Sequence, residues 1–148
     1  MIKLLLVALA LTAVTVVIHG LGAAAATRHV TARWAIWRER PGRLRRERLM
    51  AQLVAALLLL HLAEAIVWAL ALWAAGALAD LETATYFSLT SYTTTGYGDV
   101  LLAAPWRLLG PLEGAVGVLM FGWSTGLLVA AIGVVYGYRF ASGGGEVA

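Results

Sequence analysis

Seven consecutive residues, Thr93-Thr94-Thr95-Gly96-Tyr97-Gly98-Asp99, place hydroxyls, a phenol, two glycines and a carboxylate in one short run. The chemistry this run can do belongs to its main-chain carbonyls. A cation that crosses a membrane must shed water, and consecutive carbonyls aimed to one side can replace its hydration shell. In an ordinary strand the carbonyls alternate in direction. Gly96 and Gly98 reach positive φ at little cost, so here the chain can turn them all inward, and the Thr94 hydroxyl adds an oxygen below them. No cluster of nucleophile, base and orienting residue appears elsewhere, which argues against an enzyme.

The run follows a short helical segment and precedes a long apolar one. On these residues the chain resembles the potassium channel family, whose filter reads Thr-x-Gly-Tyr-Gly followed by Asp. The resemblance covers roughly residues 50–138. It implies an all-α membrane protein with the pore-loop channel fold of outer helix, pore helix, selectivity filter and inner helix, plus one extra N-terminal transmembrane helix. It further implies that Thr94, Thr95, Gly96, Tyr97 and Gly98 form the ion-binding filter, with potassium held at Thr94, Thr95, Gly96 and Tyr97. Potassium is then the permeant ligand, no cofactor is needed, and four copies must surround the pore as a homotetramer.

Asp99, Thr90 and Glu113 are the residues expected to support the filter. Thr95 replaces the family's usual valine or isoleucine, and its hydroxyl is expected to face away from the ions. Thr90 stands where several members carry a glutamate that braces the aspartate, and Phe87 stands where a tryptophan often bonds. Asp99 must therefore find another partner or water. Glu113 either compensates from behind the pore helix or is a buried acid satisfied by Ser91 or Tyr92. Two other readings share the same sequence: a less selective cation channel, and a non-conducting membrane or lipid-binding subunit.

Composition agrees with a membrane protein, at 61% hydrophobic and 13% charged residues with a mean hydropathy of +0.84. The absence of cysteine excludes disulfides and thiolate metal sites, and His19, His29 and His61 are scattered without metal-ligand spacing. Eight of the eleven basic residues lie between Arg28 and Arg48. No nucleic-acid partner is expected.

Four segments follow. Residues 1–27 read as a transmembrane helix, with a signal peptide as the rival: Lys3 as its basic start, Leu4 to Ile18 apolar, Ala23 to Ala26 as the cleavage site. Cleavage would leave the arginine cluster outside, so a retained helix is favoured. Residues 28–48 form a basic cytoplasmic or interfacial linker in which Trp34 and Trp37 suit a helix at the headgroup level and Pro41-Gly42 breaks the chain direction. Arg33, Arg38, Arg43, Arg45 and Arg46 could hold anionic lipid, although a topology signal alone explains them.

Residues 49–139 form the pore domain. Its outer helix, 49–79, carries Trp68 and Trp73 as an interfacial belt. On that helix His61 and Glu64 share a face and are expected to pair with each other or with Thr12, Thr15 and His19 of the first helix, a proton sensor being the alternative. The pore helix, 80–93, is capped by Asp80 or Thr83. Along the inner helix, 107–139, Gly117 is a possible hinge or a packing position, and Gly122 and Gly126 a possible packing face. Residues 140–148 read as a disordered cytoplasmic tail.

These features place the chain in a membrane, expected to be a bacterial inner membrane, with the N-terminus outside and the C-terminus cytoplasmic. The chain has no cysteine, so Glu146→Cys introduces a single reporter. It should resist a membrane-impermeant thiol reagent applied to intact cells; labelling would overturn the orientation.

Overall fold

The computed structural model describes residues 2–37, 39 and 42–137. Four helices follow in order: α1 Ile2–Trp37, α2 Arg43–Ala74, α3 Leu81–Tyr92 and α4 Leu109–Tyr136, the last entered through a 3-10 turn at Trp106–Leu108. The described residues contain no strand. Three of these helices are long and apolar enough to cross a membrane. The fourth, α3, has 12 residues, a length of about 18 Å at 1.5 Å per residue that reaches only part way through a hydrocarbon core of about 30 Å.

The boundaries expected at 27 and 48 both fall inside helices. α1 continues to Trp37 because nothing after Ala26 stops it: Thr27 and Thr31 return their hydroxyls to carbonyls one turn back, and the alanines and arginines between are good helix formers. α2 starts at Arg43, after Gly42, in the middle of the arginine run. Of the basic segment, residues 28–37 thus prolong α1 and residues 43–48 open α2. Lengths of about 54 Å for α1 and about 48 Å for α2 carry the arginines past the hydrocarbon. There Arg33 and Arg45 lie over the Trp37 ring at 5.8 and 5.7 Å, and Arg46 over Trp34 at 5.7 Å, which ties the end of α1 to the start of α2. Arg38, Pro41 and residues 138–148 lie outside the described residues.

α1 runs antiparallel to α2, and α3 is wedged between α2 and α4. Leu4 and Ala8 of α1 join Ala65, Trp68 and Leu72 of α2 in one core with Phe87, Tyr92, Leu109, Val116 and Met120. At the opposite end Val30, Leu53, Leu57 and Val135 form a second. Trp68 is not part of an interfacial belt. It is fully buried, because its indole N–H donates to the Thr15 hydroxyl of α1 at 3.0 Å and so has a reason to sit between helices. Trp73 remains 47% exposed, as an interfacial residue should be.

The last turns of α3 lie directly on α4, and glycine is the reason they can. A Cβ at Gly117 would overlap the Tyr92 carbonyl oxygen, one at Gly114 would stand 3.0 Å from the Ser91 carbonyl oxygen, and one at Gly110 3.0 Å from the Phe87 ring. Gly117 is therefore a packing position within an unbroken helix. Gly122 and Gly126 have nothing within 4 Å of a would-be Cβ, so they seat no element of the same chain. Gly117→Ala should force the pore helix off its seat, at about 1–3 kcal/mol of overpacking, while Gly122→Ala should be neutral. Thermal unfolding of the two purified variants in detergent distinguishes them; equal stability would contradict the seating.

Candidate functional site

The loop after α3 is positioned at both ends of that helix. At its start Asp80 is the cap: one carboxylate oxygen accepts from the Thr83 backbone N–H and the other from the Thr83 hydroxyl, both at 2.8 Å. The same Thr83 hydrogen bonds hold the Asp80 carboxyl below the usual carboxylate range. At its end the negative pole of the helix dipole points toward the loop, where a cation is favoured.

Within the loop every second residue is left-handed: Thr94 at φ 59°, Gly96 at 56° and Gly98 at 78°. The glycines do this freely. Thr94 does not, because its Cβ conflicts with the adjoining carbonyl, at about 1–2 kcal/mol. A β-branched residue at positive φ persists only where its surroundings impose it. Here they are hydrogen bonds back to the pore helix. The Thr94 N–H donates to the Ser91 carbonyl at 2.9 Å and the Gly96 N–H to the Thr90 carbonyl at 3.0 Å. The Thr93 hydroxyl donates to the Leu89 carbonyl at 2.6 Å and lies 2.8 Å from the Thr95 hydroxyl. All of Thr93 to Asp99 is exposed in the single chain.

Asp99 has found the partner that the sequence left open. The Tyr86 hydroxyl donates to it at 2.7 Å and the Val100 backbone N–H at 3.1 Å. The Tyr86 hydrogen bond keeps the Asp99 carboxyl below its ordinary range. Thr90 supports the loop through its carbonyl, since its hydroxyl is occupied by the Phe87 carbonyl at 2.9 Å. Glu113 is fully buried in α4, but neither Ser91 nor Tyr92 satisfies it. Among the described residues both of its oxygens, and the Ser88 hydroxyl, lack a hydrogen-bond partner. The Tyr92 hydroxyl is instead turned to α2.

That turn completes a polar cluster in which His61 and Glu64 pair with each other and with His19 of α1, as expected, and which Tyr92 and Ser124 join without a signal in the sequence. Tyr92 donates to Glu64 Oε2, while His19 Nδ1 lies 2.9 Å from Glu64 Oε1. His61 Nδ1 lies 3.2 Å from the Tyr92 hydroxyl and 3.4 Å from Glu64 Oε2, and its Nε2 is 3.0 Å from Ser124 Oγ. The reading that the histidines lack metal-ligand spacing is thus corrected for two of the three: His19 and His61 converge with Glu64, and His29 stays exposed. The cause is antiparallel packing of α1 on α2, which brings together residues 45 positions apart. The signal in the sequence was the shared face of His61 and Glu64, with Thr12, Thr15 and His19 available on the first helix; nothing in it pointed to Tyr92 or Ser124.

The Tyr86 bond makes the acid side of this site testable. Asp99's contribution is present above its unfolded pKa and lost as pH falls through the lower folded value. Tyr86→Phe removes the principal cause of that lowering, so Asp99 should protonate at higher pH than in the parent chain. A carbon-13 titration of the Asp99 carboxyl reads this directly; an unchanged midpoint would show that the phenol does not brace it.

An ion-channel family model matches residues 55–133, just over half of the chain, from within α2 through the loop and into α4. Comparisons with curated proteins and with solved structures find no match. The matched segment contains the short helix, the left-handed loop and the glycine seat of α4 described above, and on that match the chain belongs to the pore-loop ion-channel family.

Proposed function

We propose that the chain is one subunit of a potassium-selective channel, in which four copies surround a common axis and passive conduction runs through residues 94–98. The carbonyls of Thr94, Thr95, Gly96 and Tyr97, with the Thr94 hydroxyl, form stacked rings of oxygen that replace the hydration shell, and successive ions repel one another forward. The observation that carries this reading is the positive φ at Thr94, Gly96 and Gly98. Left-handed residues at alternate positions bring successive carbonyls to one side, and a strained threonine among them marks a site held for use.

Assembly is supported by what one chain leaves open. Tyr97 is 72% exposed, and a cavity of about 600 Å³ runs beside Thr94, Gly96 and Gly98 against Gly114 and Val118 of α4. One loop cannot encircle an ion, whereas closed four-fold symmetry can. Selectivity over a looser cation pore is favoured by the ties from Thr95 through Thr93 to Leu89 and from Asp99 to Tyr86, which restrain the loop along its length. A non-conducting subunit has no use for the strain at Thr94. Arg33, Arg45 and Arg46 cluster with Trp34 and Trp37 where α1 ends and α2 begins, with Arg43 beside Glu47 on the same turn of α2; anionic lipid headgroups fit these arginines and set that end in the cytoplasm.

Liposomes with opposed potassium and sodium gradients test the reading. The parent chain should pass potassium in preference to sodium. Gly96→Ala strains a residue at φ 56° by about 1 kcal/mol or more in each subunit. It should still assemble, since the helices supply the buried surface, yet lose the preference. A tetrameric Gly96→Ala variant with unaltered selectivity would show that this loop is not the filter.

A further inference from the structure

We propose that His19, His61, Glu64 and Tyr92 form a binding site for one divalent transition metal ion of the zinc class, where α1, α2 and α3 meet. A tetrahedral ion with bonds of about 2.0–2.1 Å sets its ligands roughly 3.3 Å apart. Three separations fall around that value: 2.9 Å from His19 Nδ1 to Glu64 Oε1, 3.4 Å from His61 Nδ1 to Glu64 Oε2, and 3.2 Å from His61 Nδ1 to the Tyr92 hydroxyl; the Tyr92 hydroxyl and Glu64 Oε2, joined by a hydrogen bond, sit closer and must part when that proton leaves. One ligand atom from each of His19, His61 and Glu64 lies within 4.8 Å of the other two. All four side chains are buried.

The orientation of the two rings is the stronger argument. Both turn Nδ1 toward the carboxylate and Nε2 toward the same oxygen, Ser124 Oγ, at 3.0 Å for His61 and 3.5 Å for His19. A hydroxyl oxygen has two lone pairs, so it can accept from both Nε2–H groups and fix both imidazoles with Nδ1 bare. Metal-ligating histidines are commonly oriented in this way through their other nitrogen.

Charge is compatible with the same occupant. In the apolar middle of a helix bundle a net charge is costly, and a divalent ion with the Glu64 carboxylate and the Tyr92 phenolate sums to zero. The balance is also complete. On binding, the protons carried by the ligating atoms, that of Tyr92 among them, leave to solvent and the divalent ion takes their place. Two imidazoles and tetrahedral spacing favour zinc over magnesium or calcium, which prefer oxygen alone and higher coordination. Tyr92 lies two residues before Thr94, so the ion would fasten α1 and α2 to the base of the loop. This inference rests on the four-helix junction and stands whichever cation the loop conducts.

The test uses full-length protein in detergent, incubated with zinc chloride and freed of unbound metal by gel filtration. Elemental analysis should find about one zinc per chain. His29→Ala, which alters an exposed histidine away from the cluster, should retain it, and His19→Ala and Glu64→Gln should each lower it at least tenfold. Zinc below about a tenth per chain in the parent protein, or retention by both cluster variants, overturns the site. Should the variants fail to fold, X-ray absorption at the zinc edge of the parent protein decides. A four-coordinate nitrogen and oxygen shell at about 2.0–2.1 Å with imidazole scattering supports the site, and a shell of water oxygens overturns it.

Discussion

Tyr92 is held at its backbone and at its side chain, and the rest of the pore region is arranged around it. Its carbonyl rests where Gly117 has no side chain, and its hydroxyl is bonded to Glu64. The first restraint sets how closely the pore helix approaches α4, and the second sets its attachment to α2. Because Thr93 caps the helix immediately after Tyr92, the direction in which the loop departs follows from these two restraints. A methyl group at position 117 would be in conflict with backbone, which cannot rotate away as a side chain can.

The loop carries local strain within a hydrogen-bonded frame. The left-handed Thr94 costs about 1–2 kcal/mol, whereas hydrogen bonds returning to Thr90, Ser91 and Leu89 contribute about 1 kcal/mol each. The frame therefore outweighs the strain by a modest margin. Tyr86 and Asp99 close it at the far end, so a phenol from the first half of the pore helix meets the carboxylate that follows Gly98. Every one of these ties is internal to one chain, and the face of the loop left bare is the one a symmetric assembly would line.

α1 is more than an anchor added to a two-helix pore. It supplies the Thr15 hydroxyl that satisfies the buried indole of Trp68 and the imidazole that meets Glu64. Without it, the Trp68 indole N–H and one oxygen of Glu64 would lose their partners, and an unsatisfied polar group facing lipid costs several kcal/mol. Polar side chains inside this bundle thus hold three long helices in one register, while leucine and valine on the outer faces are left to lipid or to neighbouring copies.

Several features were legible in the chain itself because they depend on local chemistry. Three apolar runs of sufficient length, a short capped helix led by Asp80, and two glycines in a Thr-Gly-Tyr-Gly run each follow from residue type and spacing. The left-handed Thr94 was not legible, since threonine has no intrinsic preference for that conformation and only the bonds around it impose it. Nor were the partners of Asp99 and Trp68, which lie 13 and 53 residues away at Tyr86 and Thr15, whereas the pairing of Glu64 with His61 or His19 was among the expectations. The sequence by itself determined which stretches had to be apolar helices and which residues could turn a carbonyl inward. Tertiary structure alone decided which polar exceptions meet, because a buried donor selects its acceptor by distance across the packed helices and not along the chain.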